Sequence, residues 1–205
     1  MRMHSAILLR MSLSEGGPLA EHEWPAVRGL LHRTFANEPF TVEMYGQSLL
    51  DRWGDSWGLY SSVQSADYTL ALGLRLRDVL VGVALGSIPG HCHLCEVLAL
   101  EARPDDPHLA IEWEFNQNIA QQHDTLGKHA WITKVAVEPA LQGQGIGRRL
   151  FESADDALKA MAPTELVLEC APHRLTFYRG LGYDQVATFA DPAGPDASLM
   201  RRWIR

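Results

Sequence analysis

The sequence has few cysteines and no apolar run long enough to cross a membrane. Its 205 residues include only three cysteines, Cys92, Cys95 and Cys170, and their odd number and irregular spacing argue against a disulfide-stabilised fold. The longest uncharged apolar stretch, residues 79–88, is interrupted by glycine and is too short to span a bilayer. The apolar run near the amino terminus is too brief for a signal-peptide core. We therefore expect a reducing, cytoplasmic location and no membrane partner.

Positive charge is also scarce. The chain has 18 Lys and Arg against 25 Asp and Glu, for a formal net charge of -7. Nucleic acid is therefore not an expected partner, because neutralising phosphates requires a basic surface. The hydrophobic fraction of 46% is typical of a globular protein, and neither a repeat nor a linker divides the chain. These properties predict one domain over residues 1–205.

Hydrophobic periodicity predicts alternating strands and helices. Arg77 and Asp78 lie between two apolar runs and are expected to form the turn of a hairpin. Residues 96–101 fit either a strand or a helix. A strand–helix–strand unit flanked by further strands indicates an α/β (α+β) protein with a mixed sheet and helices on its faces. The predicted strands are 5–11, 68–76, 79–88, 131–137, 165–170 and 183–189, and the predicted helices are 24–35, 41–53, 108–122, 145–161 and 174–181.

The most informative segment is a glycine-rich turn between a buried strand and an amphipathic helix. It has the sequence Gln142-Gly-Gln-Gly145-Ile-Gly147. Successive backbone N–H groups in such a turn can face one concavity, and the helix N-terminus adds the positive end of its dipole. Arg148 and Arg149 place cations in the first helical turn, where the dipole disfavours them unless an anion is bound. The segment therefore indicates a phosphate-binding loop.

Two other interpretations of this loop remain. An ordinary strand-to-helix turn would have no ligand. A dinucleotide-binding turn would require the spacing G-x-G-x-x-G, whereas the glycines here are Gly143, Gly145 and Gly147. A Walker loop is excluded because neither Gly-Lys-Ser nor Gly-Lys-Thr occurs in the sequence.

The glycine turn resembles the Q/R-x-x-G-x-G/A loop of the GNAT superfamily of N-acetyltransferases, which cradles the pyrophosphate of coenzyme A. The preceding strand, Val135-Ala136-Val137, is similar to the one that pairs with the pantetheine arm in that family. Residues 168–183, LECAPHRLTFYRGLGY, resemble the second cofactor segment, which ends in F-Y-x-x-L-G-F/Y. The carboxyl-terminal half is most similar to the puromycin N-acetyltransferase-like branch, through residues 171–172, 192–195 and 199–201. Arg174 stands where that branch commonly carries asparagine.

The resemblance implies a GNAT fold, with a mixed, mostly antiparallel sheet flanked by helices and a helical insertion at about residues 91–129 before the cofactor-binding strand. It implies acetyl-CoA as co-substrate and direct transfer of the acetyl group to the amine of a small molecule. A protein N-terminal or lysine acetyltransferase and a non-catalytic, coenzyme A-binding regulatory module are the alternatives. Relatives often form homodimers. The implied cofactor-binding residues are Val135, Ala136, Val137, Gln142, Gly143, Gln144, Gly145, Ile146, Gly147, Arg148 and Arg174.

Acetyl transfer to an amine requires a base for the amine and an acid for the departing thiolate. The resemblance makes Tyr178 the candidate general acid, although a tyrosine packed against the sheet would fit equally well. Glu169, at the end of a predicted strand, is the candidate general base or a structural carboxylate. Cys170 is expected to be a packed thiol. Further candidates for the base are Glu96, Glu112, Glu114, His123 and His129.

The segment from His91 to Cys95 contains two histidines and two cysteines, but a metal site is not expected there. On a strand the outer side chains of one face would be about 13 Å apart, and no second Cys/His pair follows with zinc-site spacing. Aromatic side chains are instead expected to line the acceptor pocket. The candidates are Trp113 or Phe115 from the insertion, together with Tyr45 or Trp57.

Overall fold

The computed structural model describes residues 16–36, 38, 41–42, 68–87, 102–103, 105, 107–190 and 196–204. The predicted strand 5–11, residues 43–53 of the second predicted helix and the stretch 96–101 lie outside these ranges. The strands are β1 (Gly17–Pro18), β2 (Leu70–Leu76), β3 (Val79–Ser87), β4 (His129–Val137), β5 (Glu165–Cys170), β6 (Asp184–Phe189) and β7 (Ala197–Trp203). The helices are α1 (Trp24–Phe35), α2 (Pro107–Asp124), α3 (Ile146–Lys159) and α4 (Leu175–Arg179).

The seven strands form one sheet in the order β1-β2-β3-β4-β5-β7-β6. Strands β4 and β5 are parallel, whereas the other neighbouring pairs are antiparallel. Arg77 and Asp78, with φ of 51° and 66°, form the expected hairpin turn between β2 and β3. The mixed, mostly antiparallel sheet with helices packed against it confirms the predicted fold class.

Strand β7 was not among the predicted elements, although it lies in the middle of one half of the sheet. Its first four residues are buried on both faces of the sheet, with Leu199 and Met200 directed to opposite sides. Two arginines follow, so the strand lacks the alternation of apolar and polar residues that marks a half-buried strand. Because both sides of this strand are buried, the alternation of apolar and polar residues could not reveal it.

Helix α3 covers one face of the sheet, and α1 and α2 cover the other. Along β4, Ile132 and Val137 join the core beneath α3. Trp131 joins the core beneath α2, and Ala136 joins the core beneath α1. Helix α1 ends where predicted and directs Trp24, Val27, Leu30 and Leu31 towards the sheet, because these residues recur at helical spacing.

The sheet opens between β4 and β5. These strands pair over only three residue pairs, the last of which is Trp131 with Val167. Beyond that point, in the described part of the sheet, β4 pairs only with β3, and β5 pairs only with β7. A β-bulge at Thr133 accompanies the separation, and its hydroxyl donates to the carbonyl of Leu85 at 3.1 Å. Because a bulge bends its strand, β4 turns away from β5 and a cleft forms between them.

The bulge requires a glycine opposite it. A Cβ atom on Gly86 would lie 2.9 Å from the carbonyl oxygen of Trp131, which is closer than carbon and oxygen tolerate. We therefore expect Gly86→Ala to lower the free energy of unfolding by about 1–3 kcal/mol, because the backbone of β3 or β4 must shift. Urea denaturation measures this change.

Gly17→Ala is the matched control, because nothing lies within 4 Å of a Cβ atom at that strand glycine. Its effect should stay within about 0.5 kcal/mol. Equal effects of the two substitutions would contradict the close approach of β3 and β4 at the bulge.

Candidate active site

The carboxyl end of β4 is fixed by a shared hydrogen-bond acceptor. The carbonyl of Val137 accepts from the hydroxyl of Thr34 on α1 at 3.3 Å and from the side-chain amide of Gln142 at 3.2 Å. Gln142, predicted to contact the cofactor, thus binds its own chain and holds the start of the glycine turn. Arg33 adds an ion pair with Glu138 at 2.9 Å. Helix α1, the end of β4 and the turn are therefore joined at one place.

The glycine turn has an open inner side. Gly143 and Gly145 adopt positive φ angles of 73° and 80°, and nothing lies within 4 Å of a Cβ atom at either position. Gly145 is the N-cap of α3 and has no side chain that could bind the first N–H groups of the helix. The N–H groups of residues 146–148 therefore lack helical partners and lie at the positive end of the helix dipole. These N–H groups are able to donate hydrogen bonds to an anion.

Arg148 lies beside this turn. Its guanidinium donates to the carbonyl of Gly180, just after α4, at 3.3 Å, and lies 3.7 Å from the carboxylate of Glu152. Both contacts are solvent-exposed and therefore weak. The arginine thus places a positive charge near the start of α3 and can exchange its exposed partners for an anionic ligand.

Tyr178 lies in α4, with its ring packed edge-on against Phe151 at 5.5 Å between centroids. Burial raises the pKa of its hydroxyl, and the nearby charges of Cys170 and Glu169 raise it further, whereas Arg174 lowers it. The hydroxyl is therefore protonated at neutral pH and can donate a proton. Tyr178 and Cys170 pack in the same core beneath α3, and Glu169 precedes Cys170 on β5.

Glu169 is bonded through both of its carboxylate oxygens. Oε1 lies 2.5 Å from Nε2 of His123, and Oε2 accepts from the indole N–H of Trp131 at 2.7 Å. Nδ1 of His123 lies 3.1 Å from Nε2 of His129, whose Nδ1 lies 2.8 Å from the carbonyl of Gly127. The structure thus brings three of the candidate bases, from α2, β4 and β5, into one continuous chain.

The position of this chain follows from the strand register. Trp131 belongs to the last pair that joins β4 to β5, and it lies opposite Val167. Glu169 is on the same face of β5 two residues further along, where the strands separate. The role of Trp131 was missed by the sequence analysis. Aligning the two predicted strands in parallel would have placed Trp131 next to Val167 and close to Glu169, and would have indicated this contact.

The histidines of this chain are shielded from solvent, with His123 only 3% exposed and His129 only 8% exposed. The pKa of His129 is lowered, chiefly by burial and also by His123. The hydrogen bond to the carbonyl of Gly127 and the charges of Glu165 and Glu169 oppose this change without reversing it. At neutral pH, His129 is therefore uncharged.

Arg174, which the resemblance assigns to the cofactor, forms an exposed ion pair with Glu38, and His173 lies 3.4 Å from the second oxygen of the same carboxylate. The arginine thus links the segment before α4 to the residues that follow α1. Its role in cofactor binding stays a prediction. Glu38 precedes Arg174 by 136 residues, so no local pattern in the sequence could have indicated this contact.

The remaining candidates for the base and for the acceptor pocket either make contacts away from Glu169 or lie outside the described residues. Glu114 forms an exposed ion pair with Arg103 at 2.8 Å, which argues against a role as base. Phe115 packs against Phe189 at 6.0 Å between ring centroids, as part of the core beneath α2, and Trp113 is half-buried. Tyr45, Trp57, Glu96, residues 91–95 and the side chain of Glu112 lie outside the described part of the structure.

Among the described residues, no group of three or more His, Cys, Asp or Glu side chains is arranged to hold a metal ion. No helix in the same ranges combines the length and the apolar character needed to cross a membrane.

The parallel strands β4 and β5 separate, and β4 leads into the uncapped, glycine-rich N-terminus of α3. Residues 108–185 match the family model of the acetyltransferase (GNAT) domain. The IAA acetyltransferase of Azospirillum brasilense is 34% identical to this chain over 76 residues, which is 36% of this chain and 49% of the relative. The chain thus spans about half the length of this relative. The residues that match the family model run from the start of α2 to the start of β6.

Solved structures share the fold across nearly the whole chain. The polyamine N-acetyltransferase of Drosophila melanogaster, which catalyses the formation of N-acetylagmatine, has a TM-score of 0.70 at 13% identity and covers 94% of this chain and 100% of its own. The PaiA N-acetyltransferase of Thermoplasma acidophilum, in complex with coenzyme A, has a TM-score of 0.59 at 14% identity and covers 95% and 100%. At these identities the likeness shows the fold alone. The resemblance to the puromycin N-acetyltransferase-like branch stays a prediction.

Cys170 provides a test of the electrostatics at the end of β5. Burial raises the pKa of its thiol to about 12, and Glu169 adds to the effect. At pH 8 the thiolate fraction is then on the order of 10⁻⁴, so the thiol should react very slowly with iodoacetamide in the native protein. Mass spectrometry of the Cys170 peptide, before and after unfolding in urea, measures the difference. Rapid labelling of the native protein would contradict the predicted protonation.

Proposed function

We propose that the chain is an acetyl-CoA-dependent N-acetyltransferase that transfers the acetyl group directly to the amine of a small molecule. The observation that carries this proposal is the cleft between β4 and β5, which leads to the uncapped N-terminus of α3. An extended thioester arm needs backbone partners, and a pyrophosphate needs clustered N–H donors. The cleft offers the first and the glycine turn offers the second. We also propose that residues 1–205 form one domain.

The coenzyme would extend along the free edge of β4, with its pantetheine arm beside Val135, Ala136 and Val137. Its pyrophosphate would meet the N–H groups of the glycine turn, with Arg148 close by. Gln142 would act indirectly by fixing the turn through Val137. The residues that we assign to the turn itself are Gly143, Gln144, Gly145, Ile146 and Gly147.

The chemistry requires few groups. The amine nitrogen attacks the thioester carbon, and backbone N–H groups near Val135 stabilise the developing oxyanion. Glu169 accepts the proton that the amine loses, and Tyr178 protonates the departing thiolate. An acetyl-cysteine intermediate is disfavoured, because burial keeps the thiol of Cys170 protonated. Direct transfer is therefore the mechanism that these residues support.

The acceptor that we propose is a small amine, in keeping with the activity named for the Drosophila polyamine N-acetyltransferase. Helix α2 packs beside the cleft, with Ile119 against Trp131 and Val167, so the Glu169 side of the sheet is covered. A covered site suits a small molecule better than a protein segment, which needs an open groove. The net charge of -7 also favours the approach of a cationic amine.

Ligand binding provides the first test of this proposal. Acetyl-CoA and coenzyme A should both raise the melting temperature, whereas NAD and ATP should not, because the site is built for an extended pantetheine arm. Gly145→Ala should weaken coenzyme binding roughly tenfold, since the new Cβ atom enters the open turn and the residue must keep a positive φ.

Gly127→Ala is the control for this substitution, because its glycine lies outside the turn and its Cβ atom would make only an ordinary contact of 3.7 Å with Glu165. It should leave coenzyme binding unchanged. Stabilisation by NAD instead of coenzyme A would overturn the proposal. Coenzyme binding without release of free thiol from any of a panel of amines would indicate a regulatory module.

Tyr178→Phe tests the general acid. We expect kcat to fall by about 10²–10⁴-fold with little change in the KM for acetyl-CoA, because only the proton donated to the thiolate is lost. Thiol release, followed in the steady state, measures both constants.

Tyr183→Phe is a matched control from the same aromatic cluster. The hydroxyl of Tyr183 donates to the buried carboxylate of Asp155 at 3.2 Å, so its loss should lower stability and leave kcat within about twofold. Equal kcat values for the two variants would remove Tyr178 from the proposed mechanism.

A further inference from the structure

The hydrogens of the His129–His123–Glu169 chain can be placed from its fixed end. The carbonyl of Gly127 can only accept, so Nδ1 of His129 must carry a hydrogen. His129 is uncharged because burial lowers its pKa, so its Nε2 has no hydrogen and acts as an acceptor. It follows that Nδ1 of His123 is the donor across the 3.1 Å contact between the two rings.

This order leaves an unusual contact at the other end. Nε2 of His123 lies 2.5 Å from Oε1 of Glu169. If the ring is neutral, its hydrogen is on Nδ1, and a lone pair on Nε2 would face a lone pair of the carboxylate. The two atoms can therefore take up one proton between them, which gives an imidazolium–carboxylate pair or an imidazole–carboxylic acid pair. Uptake of the proton removes the opposition of the two acceptors.

We propose that His123 and Glu169 take up the proton of the acceptor amine as one unit, and that His129 is the positioning residue that keeps Nε2 of His123 ready to receive it. This inference rests on the proposed acetyltransferase function. Glu169 is the group that meets the amine at the opening of the cleft. His123 and His129 act through Glu169 and do not touch the substrate.

The proton balance of a turnover follows directly. The amine nitrogen forms a bond to the acetyl carbon, the bond from that carbon to sulfur breaks, and one amine N–H bond breaks. The released proton forms a bond to Glu169 and then lies between Oε1 and Nε2 of His123. The thiolate takes a proton from Tyr178. The proton held by the pair then returns to Tyr178 through solvent, so that each group regains its starting state.

Charged groups on β5 and β7 adjoin this chain. Glu165 on β5 accepts from the N–H of Gly127 at 3.1 Å, and its second oxygen lies 3.6 Å from Arg201 on β7. Its charge raises the pKa of His129, as does that of Glu169. Cys170 and Tyr178 lie on the opposite face of β5 from Glu169, in the core beneath α3, and burial keeps both protonated at neutral pH. The ring of Trp131 on β4 covers His123 at 4.9 Å between centroids.

The first experiment needs no substrate. Nitrogen-15 NMR of histidine-labelled protein should show His129 in the Nδ1–H tautomer and the hydrogen of neutral His123 on Nδ1. In His129→Phe, neutral His123 can instead place its hydrogen on Nε2 and donate it to the carboxylate. The tautomer of His123 should therefore change from Nδ1–H to Nε2–H in this variant. The Nε2–H tautomer of His129, or an Nδ1 hydrogen retained by His123 in His129→Phe, would overturn the arrangement.

The second experiment measures the pH dependence of kcat/KM for the amine. We expect the acidic limb of the profile to move to lower pH in His129→Phe, because His123 then donates to the carboxylate before the amine arrives. In Glu169→Gln, kcat/KM at the optimum should be about 10²-fold lower. Gly17→Ala, in the edge strand β1 and with nothing within 4 Å of the added Cβ atom, should keep the parental profile. A purely structural role for His129 would lower stability and leave the acidic limb in place, which would overturn the proposal.

The two experiments separate this inference from the proposed function. Absence of acetyl transfer to any amine would refute the function, while the NMR result would still decide the proton arrangement. Transfer with the expected NMR result and an unmoved acidic limb would refute the relay alone. A different buried variant, His129→Leu, repeats both measurements if His129→Phe does not fold.

Discussion

The separation of β4 from β5 after three residue pairs is the constraint on which the rest of the structure depends. Strands in a sheet normally satisfy each other's backbone groups, and here both strands present unpaired groups to a cleft. The bulge at Thr133 and the glycine at position 86 allow the strands to part. The cleft then sets the places of the turn after β4 and of α4 after β5. Each element that we assign to catalysis follows one of these two strands or, like α2, packs beside the cleft.

The residues that we assign to the site lie on both faces of the sheet. The α3 face carries the glycine turn and Tyr178, and the opposite face carries Glu169 and the histidines. This division places the proposed acid and the proposed base on either side of β5. Helix α2 covers the histidines and keeps water from them. Hydrogen bonds to neighbouring groups therefore affect the proton affinity of the His123–Glu169 pair more than they would in an exposed pair.

Local features were predictable from the sequence, and distant contacts were not. The glycine turn was recognisable because positive φ angles at Gly143 and Gly145 require glycine. The strand that contains Glu169 was recognisable from its continuous apolar run. The partner of Arg174 was not, because Glu38 lies 136 residues away and only the tertiary fold brings the two together. His123 and His129 were candidates, but their order of hydrogen bonding depends on a carbonyl group that no side-chain pattern reveals.

The place of β7 in the sheet affects how the protein can be made. Residues 197–203 lie between β5 and β6, although they follow both in the chain. While the ribosome is still synthesising that segment, the outer edge of β5 has no strand beside it, and β6 has no neighbour to bind. Arg202 of β7 also supplies the ion pair to the buried Asp155 of α3. The nascent chain therefore carries the glycine turn and an α3 that can already pack on β2, β3 and β4, while the ion pair between Asp155 and Arg202 and the outer half of the sheet form only once β7 has emerged.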